Sequence, residues 1–487
     1  MKNLKTLLLL STIFSQVLQA QTLTLTPGSE AATQLVKKSE YQSFTSGSDR
    51  YFITKAYKDA FMHYSLLSYD ARGQVTYNGE LKIKGGVFNN TFGIDDVLPL
   101  GNKVYAMVEH LDKAAGKNTL LARVFDAPGS ISEKETEVMN IPFEKLMNSG
   151  FNFSVVSPDK NTLAVIGEMP FDKEQPAKFK VVLFDKDFKK TAEGEINLPG
   201  ENTKKKSMTA YVSNNGVVYL LKETFTNKGE IVLGVYQFNP AKGNDVKEYI
   251  IEVTPPDQIY SYTCEVNPNN ELIVIGTYYK RQALTVGGTL TSGVFYFTNK
   301  GLSEKLFKTF PLEAPIENLT ARKIFVNDNT IFLTAEQYRE ETEKQAPGYM
   351  SFDYNYNYTH KNDYVIGMND DGTKKFQIEL AKDFTVRNFD RQFYSGYFIC
   401  NGKLTVVYND QTKKYMPSDS YYGYQIPLLV QITNDGLMQS PVIFKDNLKL
   451  ERSFILYPSL GVQDANNQVA LLMGNGAYMK ILTIKIE

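Results

Sequence analysis

Apolar residues in this chain occur in short runs, which alternate with polar positions and are separated by clusters of Asn, Asp and Gly. At residues 155–166, for example, two apolar runs flank the polar segment 157–161. Asn, Asp and Gly tolerate the positive φ angles that tight hairpin turns require. Period-two alternation in short runs is typical of β-strands. The pattern therefore predicts a series of β-hairpins.

Two kinds of hairpin follow one another along the chain. The first kind has its turns at 46–49, 100–102, 157–161, 213–216, 267–270, 326–329, 400–402 and 463–467. The second kind has turns at 69–73, 184–187, 297–301, 368–372 and 433–436. Two hairpins in each unit give four antiparallel strands, and a four-stranded sheet repeated in this way is the sequence pattern of a β-propeller.

We therefore expect an all-β chain in which residues 21–487 form a single β-propeller domain of about eight four-stranded blades. A seven-bladed ring, with one end unit as a cap, is the alternative. The blades are predicted at 40–84, 90–141, 150–199, 206–254, 259–314, 320–383, 391–446 and 452–487. The last unit has only three strands, and the alternating segment 22–26 is predicted to supply the fourth. Its pairing with residues 478–486 would close the ring and remove two sheet edges.

The first twenty residues have the features of a signal peptide. Lys2 and Lys5 precede an apolar run at residues 7–18, and Ala20 ends the segment. The run is short for a bilayer-spanning helix, with a retained anchor as the alternative. This leader, which ends before Gln21, resembles those of secreted proteins from Bacteroidota-type bacteria. Because no Cys lies near the cleavage point, we expect a soluble exported protein, periplasmic or extracellular, that is not a lipoprotein.

Composition narrows the class of partner and the class of propeller. The chain has 53 Lys and Arg residues against 54 Asp and Glu residues, so it lacks the basic excess that nucleic-acid binding requires. It contains no Trp, and so lacks both the Trp-Asp repeat signature and the sialidase-type Asp box. No named propeller family follows from the sequence.

The two cysteines are expected to be buried free thiols. Cys264 and Cys400 fall in first strands two blades apart, so their Cα atoms should lie beyond the distance of about 7 Å that a disulfide tolerates.

Motifs of common catalytic and cofactor sites are missing from the sequence. It has no His-Glu-x-x-His, no phosphate-binding Gly-rich loop and no Gly-x-Ser-x-Gly. The three histidines, His63, His110 and His360, fall in three different blades, whereas a zinc site needs convergent ligands. Residues 369–372 look like the start of a calcium loop, but the acidic twelfth position is lacking and the repeat predicts a turn there. We expect no metal and no cofactor.

Acidic residues on inner strands are weak candidates for acid–base catalysis, because these strands line the propeller channel. Asp95 and Asp96 are predicted to open the first strand of blade 2, and Glu265 lies within that of blade 5. A hydrolase or lyase would need two carboxyl groups facing each other across about 5–10 Å. The structural alternative, which we favour, is that Asp95 and Asp96 cap a loop while Glu265 pairs with a neighbouring cation.

Three adjacent blades carry long predicted loops between their second and third strands, at about 279–293, 337–363 and 409–427. The corresponding loops of blades 1 and 8 are tight. Loops of this length are commonly functional, and exposed Tyr offers a large contact area at low entropic cost. The candidate ligand-binding tyrosines are Tyr279, Tyr349, Tyr354, Tyr356, Tyr358, Tyr415, Tyr421, Tyr422 and Tyr424.

Three arginines accompany these tyrosines at the entries to first strands, namely Arg322, Arg391 and Arg452. They are predicted to place positive charge near the channel mouth, where an anionic group would be held. The alternative is that the tyrosines pack on one another while the arginines pair with acidic neighbours such as Glu340, Glu341, Asp390 or Glu451.

These observations favour a non-enzymatic binding module, which uses the Tyr-rich face of blades 5–7 to bind a glycan, a peptide or a protein. A carbohydrate-active hydrolase or lyase with channel carboxylates is the alternative. A structural component of a larger envelope assembly is a third interpretation, and it would need a broad apolar patch on the outer strands.

Overall fold

The structure is a computed structural model, and it describes residues 23–32, 39–58, 61–83, 90–112, 114–142, 152–199, 206–225, 230–243, 245–254, 256–285, 288–343, 355–387, 393–415, 425–444, 454–475 and 477–487. The predicted signal peptide lies outside the described residues. Most of the described chain is strand, as the turn pattern predicts.

Eight antiparallel sheets form the eight blades of a β-propeller. Blade 1 contains β2 (Glu40–Ser46), β3 (Asp49–Lys58), β4 (Phe61–Tyr69) and β5 (Val75–Glu80). Blade 2 contains β6 (Asn90–Leu100), β7 (Lys103–Asp112), β8 (Lys117–Ala127) and β9 (Ser130–Pro142). Blade 3 contains β10 (Asn152–Val156), β11 (Thr162–Glu168), β12 (Lys178–Asp185) and β13 (Lys190–Asn197). Blade 4 contains β14 (Lys206–Val212), β15 (Val218–Phe225), β16 (Ile231–Phe238) and β17 (Lys247–Ile251).

The second half of the ring has the same strand order, with one extra strand. Blade 5 contains β18 (Asp257–Val266), β19 (Leu272–Thr285), β20 (Gly288–Lys300) and β21 (Glu304–Glu317). Blade 6 contains β22 (Leu319–Asn327), β23 (Thr330–Glu343), β24 (Asn355–Met368) and β25 (Lys374–Leu380), and β26 (Phe384–Arg387) pairs with β24. Blade 7 contains β27 (Gly396–Cys400), β28 (Lys403–Gln411), the helical turn α1 (Thr412–Tyr415), β29 (Gln425–Ile432) and β30 (Val442–Ile443). Blade 8 contains β31 (Ile455–Ala465), β32 (Gln468–Gly474) and β33 (Tyr478–Ile486).

The N-terminal strand β1 (Leu23–Ala32) completes blade 8 and closes the ring. It pairs antiparallel with β33, from Leu23 opposite Ile486 to Ala32 opposite Tyr478. This confirms the predicted closure and the count of eight blades over seven. The strand extends beyond the predicted segment 22–26, because the pairing continues past an irregularity after Pro27.

The core consists of layers of apolar side chains between neighbouring blades. Leu272 and Val274 of β19 pack in the layer between blades 4 and 5, whereas Ile273 and Ile275 pack between blades 5 and 6. Successive residues of a strand point to opposite faces, and both faces of each blade are covered by neighbours. The second strands are therefore continuously apolar at such positions, which stabilises the ring without a single central core.

The first-hairpin turns adopt the backbone conformation that their sequences predict. Asn270 has a φ of 65° and Gly216 a φ of 79°, values that Asn and Gly adopt at low steric cost. The calcium-like run at 369–372 is a hairpin turn between β24 and β25, closed by the Asn369 amide donating to the Thr373 carbonyl oxygen at 2.9 Å. Both cysteines are buried free thiols, which confirms that prediction.

Within the described residues, no helix combines the length and the apolar character needed to cross a membrane.

Candidate functional site

Two of the three predicted long loops are extensions of the blades themselves. In blade 5 the predicted loop 279–293 falls largely within β19 and β20, and in blade 6 much of 337–363 falls within β23 and β24. The loop prediction is wrong for these segments. Their alternating Tyr, Thr and charged residues suit a pleated strand, and pairing across the hairpin satisfies their backbone groups. In blade 7, residues 412–415 form α1 and residues 416–424 lie outside the described chain.

The blade 6 extension has an aromatic face and a polar face. Tyr338 lies opposite His360, and two residues further along each strand Glu340 lies opposite Tyr358. Strand β26 pairs with the other edge of β24 and places Phe384 beside His360 on the same face. The opposite face carries polar residues, including an exposed ion pair between Arg339 Nη2 and Glu341 Oε1 at 2.7 Å and a hydrogen bond between Thr359 and Thr385. The aromatic face is turned toward the propeller, since His360 and Phe384 are buried.

Aromatic rings form a continuous row along this face. The centroids of Tyr356 and Tyr358 are 6.1 Å apart, with ring planes at 12°. Those of Tyr358 and Tyr338 are 6.4 Å apart, with planes at 13°. Tyr394, which precedes β27 of blade 7, meets Tyr338 edge to face at 5.5 Å. Tyr358 is buried, whereas Tyr338, Tyr356 and Tyr394 are half-buried.

Arg322 lies between two of these rings. Its guanidinium carbon is 3.7 Å from the Tyr394 centroid and 4.9 Å from the Tyr338 centroid. Its Nε donates to Glu336 Oε2 at 2.9 Å, and its Nη2 lies 2.7 Å from the same carboxylate oxygen in an ion pair. The interpretation in which the arginine pairs with a carboxylate thus holds for Arg322, but the partner is Glu336 and none of the four acidic residues expected. The Arg322 charge is compensated locally, so it does not offer a free positive charge at the channel mouth.

A buried charged network lies beneath the aromatic row. Lys382 Nζ contacts Glu336 Oε1 at 2.6 Å and Asp363 Oδ1 at 2.9 Å. His360 Nδ1 lies 2.9 Å from Glu336 Oε1, and the Ser395 hydroxyl donates to Asp363. The side chains of Glu336, Asp363 and Lys382 are fully buried. Two carboxylates and two cations, Arg322 and Lys382, balance one another, which is the condition under which buried charges are tolerated.

The network sets the protonation of its members. Burial disfavours the charged form of Glu336, but Lys382, Arg322 and His360 outweigh it and hold the pKa of Glu336 well below its usual range. Burial likewise opposes the charge on Lys382, and Asp363 and Glu336 outweigh it, so the Lys382 pKa is raised. Burial raises the pKa of Asp363, and the nearby Glu336 carboxylate adds to that effect.

The aromatic surface continues onto blade 5. Tyr279 meets Tyr260 edge to face at 6.3 Å, and its hydroxyl donates to Gln258 Oε1 at 2.6 Å. Tyr260 in turn is close enough to Arg322 for the guanidinium to lower the Tyr260 pKa against the larger effect of burial, which raises it. We call the set Tyr260, Tyr279, Arg322, Tyr338, Tyr356, Tyr358 and Tyr394 the tyrosine surface.

Tyr415 lies beside the tyrosine surface and is held by a carboxylate. Its hydroxyl donates to Asp410 Oδ2 at 2.9 Å, and Lys414 Nζ contacts Asp410 Oδ1 at 2.8 Å. Asp410 also accepts from the backbone amide of Asp383, the residue after Lys382 of the buried network. Burial raises the pKa of Tyr415. α1 of blade 7 is thereby fixed next to blade 6.

The structure thus brings Tyr279, Arg322, Tyr356 and Tyr358 together. Seven predicted residues lie outside the described chain, namely Tyr349, Tyr354, Tyr421, Tyr422, Tyr424, Arg391 and Arg452. Sequence analysis missed Tyr260, Tyr338 and Tyr394, and it also missed the network around Glu336. A signal for Tyr338 exists in retrospect, since it lies in the same alternating run as Glu336 and Glu340.

The bulges in three inner strands occupy equivalent places in their blades. The register shifts between Ile94 and Asp96 in β6, between Ile259 and Ser261 in β18, and between Ala321 and Lys323 in β22. The extra residues are Asp95, Tyr260 and Arg322. A bulge redirects a side chain locally, and bulges are frequent near functional sites. Blades 2, 5 and 6 therefore each use this position to aim a different chemical group.

Asp95 and Asp96 lie in the middle of β6, so the expectation that they open the strand or cap a loop is wrong. Asp96 Oδ1 pairs with Lys55 Nζ of blade 1 at 3.1 Å. Burial raises the pKa of Asp95 to about 7, and the Glu109 and Asp96 carboxylates contribute to the rise. The Asp95 backbone oxygen accepts from the Tyr64 hydroxyl at 2.5 Å. These residues lie at the junction of blades 1 and 2.

Glu265 lies one residue before the end of β18, next to the first-hairpin turn, whereas Asp95 lies at the bulge of β6. Burial raises the pKa of Glu265 to about 7, and the Lys323 ammonium opposes the rise. Several residues of strand separate the level of Glu265 from that of the bulges, at about 3.3 Å per residue. The register thus places Glu265 and Asp95 at different depths of the ring.

Comparison with known proteins assigns this chain to no family. No protein-family model matches the chain, and the search of curated proteins returns no match. Solved structures similar to it include the WD40 domain of SCAP from fission yeast, with 11% identity, a TM-score of 0.41, and coverage of 95% of this chain and 94% of that chain. A member of the DUF4221 family from Bacteroides vulgatus has 10% identity, a TM-score of 0.34, and coverage of 96% and 98%. An α-L-arabinanase from Penicillium chrysogenum, complexed with arabinobiose, has 12% identity, a TM-score of 0.35, and coverage of 64% and 94%.

Proposed function

We propose that this chain is an exported, non-enzymatic binding propeller, of the secreted Bacteroidota type that its leader resembles, and that it holds a glycan, a peptide or a protein segment on the tyrosine surface of blades 5–7. The observation that carries the proposal is the row of rings from Tyr356 to Tyr394, supported from below by the buried Glu336 network. Tyrosine rings provide contact area at low entropic cost.

The tyrosine rings are held in fixed positions by the residues beneath them. This rigidity is the physical argument that the surface binds a ligand and does not serve only to pack the tyrosines against one another. Tyr338 and Tyr394 are positioned by the Arg322 guanidinium between them, and Arg322 is positioned by a hydrogen bond and an ion pair to Glu336. A surface that is ordered before the ligand arrives avoids part of the entropic cost of association. The tyrosines do pack on one another, as the structural alternative states, yet Tyr338, Tyr356 and Tyr394 keep part of their surface exposed.

The charges around the tyrosine surface favour a ligand that is bound by the tyrosine rings and hydroxyls over an anionic ligand. Arg322 is committed to Glu336, and the exposed residue Glu340, opposite Tyr358 in the blade 6 extension, is acidic. Stacking of sugar rings or of peptide side chains is the interaction that such a surface supports.

A binding array tests this proposal. The mature chain, residues 21–487, is applied to immobilised polysaccharides and envelope proteins, together with Tyr356→Ala and Tyr279→Ala variants. Tyr478→Ala is the matched control, because Tyr478 is exposed on blade 8, away from the tyrosine surface. We expect a specific ligand whose affinity falls at least about tenfold in the first two variants, a loss of about 1.4 kcal/mol, and not in the control. Equal loss in all three, or in none, would remove the tyrosine surface as the binding site.

A carbohydrate-active hydrolase or lyase is the second candidate, favoured by one observation. The pKa of Asp95 and that of Glu265 are each raised to about 7, where a carboxyl group can act as a general acid at neutral pH. The different depths of these two groups oppose a shared reaction. Release of reducing sugar from polysaccharides by the wild-type chain, and its loss in Asp95→Asn or Glu265→Gln, would support the hydrolase instead.

A further inference from the structure

A cleft opens between the inner strands of blades 5 and 6, on the side of the ring that carries the first-hairpin turns. Its volume is about 410 Å³. It is lined from blade 5 by residues 263–266 and Pro268, and from blade 6 by residues 323–326. Clefts of about 300–1,000 Å³ are the usual size for small-molecule sites.

Among the described residues, hydrogen bonds join blades 5 and 6 at one end of this cleft. The Ala321 amide donates to Ser261 Oγ at 2.8 Å, and the Thr277 hydroxyl donates to the Leu319 carbonyl oxygen at 2.8 Å. The last of these ties is the Thr263 hydroxyl, which donates to the Arg322 carbonyl oxygen at 3.3 Å. Beyond Thr263, toward the turns, no hydrogen bond joins the two inner strands in the described part of the chain.

The turns of other neighbouring blades are joined where those of blades 5 and 6 are not. Asn215 N of blade 4 donates to Asn270 Oδ1 of blade 5 at 3.2 Å, and Asn327 Nδ2 of blade 6 donates to the Gly402 carbonyl oxygen of blade 7 at 2.8 Å. Asn401 N of blade 7 donates to the Asn466 carbonyl oxygen of blade 8 at 2.9 Å. Among the described residues, no hydrogen bond of this kind joins the turns of blades 5 and 6. The cleft is therefore open at this end.

Two opposite charges line the cleft without touching. Glu265 and Lys323 interact electrostatically, but no ion pair within 4.0 Å joins them in the described part of the chain. Lys323 is exposed and Glu265 is half-buried, so the channel gives access to both side chains. Burial lowers the pKa of Lys323 and raises that of Glu265, and each of the two charges opposes the shift of the other.

We propose that this cleft binds a small zwitterion, with the ligand ammonium on Glu265 and the ligand carboxylate on Lys323. Such a ligand brings one charge of each sign, so it compensates both side chains at once and leaves the net charge of the channel unchanged. A ligand with a single charge would compensate the charge of either Glu265 or Lys323 and leave the charge of the other side chain uncompensated. The hydroxyl of Thr263 and the apolar atoms of Ile324 and Val326 complete a wall suited to a short amino acid or dipeptide. This site is independent of the tyrosine surface, because it lies toward the opposite ends of the inner strands.

Isothermal titration calorimetry of residues 21–487 tests the proposal with a graded series of probes. L-alanine, β-alanine, γ-aminobutyrate and glycylglycine differ in the distance between their charges, while ethylamine and propionate carry one charge each. We expect at least one zwitterion to bind about tenfold or more tightly than both singly charged probes at equal ionic strength. Glu265→Gln and Lys323→Met should each weaken that binding by about tenfold or more.

Controls separate the cleft from general charge effects. Glu304→Gln and Lys300→Met remove the same charges from the exposed second-hairpin turn of blade 5, and they should leave the affinity unchanged. The double variant Glu265→Lys with Lys323→Glu keeps both charges in the cleft and should bind the zwitterion again. The proposal is overturned if no zwitterion binds, if ethylamine or propionate binds as tightly, or if the two cleft variants bind like the wild type. Loss of partner binding in tyrosine-surface variants would not affect any of these outcomes.

Discussion

The guanidinium carbon of Arg322 lies 3.7 Å from the centroid of the Tyr394 ring. Arg322 belongs to the inner strand of blade 6, and Tyr394 leads into the inner strand of blade 7. The contact therefore joins two blades through a cation and an aromatic face, while Glu336 balances the cation from below. Arg322 thus fixes the relative position of Tyr338 and Tyr394 within the tyrosine surface.

Arg322→Lys should destabilise the protein although it preserves the charge. A lysine ammonium cannot reproduce both the stack between two rings and the hydrogen-bonded ion pair with Glu336. We expect a loss of about 1–2 kcal/mol in the free energy of unfolding, measured by urea denaturation. Arg339→Lys is the control, because Arg339 forms an exposed ion pair in the same hairpin, and it should cost less than about 0.5 kcal/mol. Equal losses would mean that the stacked geometry contributes nothing.

Asp95 should make the folded state less stable as the pH rises. The pKa of Asp95 is raised from 3.8 to about 7, so between these values the folded chain retains a proton that the unfolded chain has lost. The free energy of unfolding therefore falls across this range, and the contribution of Asp95 amounts to about 4 kcal/mol.

Asp95→Asn removes that titration. Urea denaturation at pH 4, 6 and 8 should show a smaller fall in unfolding free energy for the variant than for the wild type. Asp126→Asn, which alters an exposed carboxylate on β8 of the same blade, should follow the wild type. A variant at Asp95 with the wild-type pH profile would contradict the prediction.

Gly28→Ala should weaken the closure of the ring. A Cβ atom at Gly28 would lie 2.4 Å from the Gly73 carbonyl oxygen and 2.4 Å from Ile481 Cγ2, where β1 passes over blade 1. Backbone and core atoms must shift to accept it, at a cost of about 1–3 kcal/mol. Gly93→Ala is the matched control, because a Cβ there meets no atom within 4 Å, and it should change stability by less than about 0.5 kcal/mol. The melting temperatures of the two variants provide the comparison.

The two thiols should be unreactive in the native protein. Cys264 and Cys400 are buried, and burial raises the pKa of Cys400 to about 11, so little of the reactive thiolate is present at neutral pH. Labelling with a chromogenic disulfide reagent should modify neither thiol in buffer and both in guanidinium chloride. Rapid labelling of either residue under native conditions would show that its blade opens locally.

The parts of the fold that were predictable from the sequence are those that short, local stretches of sequence determine. Each first-hairpin turn, such as that around Asn270, is set by a few adjacent residues that tolerate positive φ, and eight such turns in one chain predict eight blades. The closing strand was also predictable, because the alternation before Pro27 is local and blade 8 lacked a fourth strand. Buried thiols followed from the position of Cys264 and Cys400 in separate blades.

The extension of blade 6 was not predictable as strand from its length and composition alone. A polar run rich in Tyr, Glu and Asn suits a loop as well as a strand, and the pairing of Tyr338 with His360 decides between them only when the two segments meet. The depth of Asp95 and Glu265 likewise depends on bulges, which displace the register by one residue without an obvious sequence signal.

The sequence by itself thus determined the repeated hairpins and the closing strand, because these depend on local turn conformation and on alternation along one strand, whereas the structure decided for eight blades over seven. Only the tertiary structure decided that Arg322, Glu336, His360 and Lys382 form one network and that Glu265 faces Lys323 across a cleft. These groups come from different strands, and the electrostatic interactions between them depend on distances of a few ångströms that bulges and blade packing set. Such distances are a property of the assembled ring.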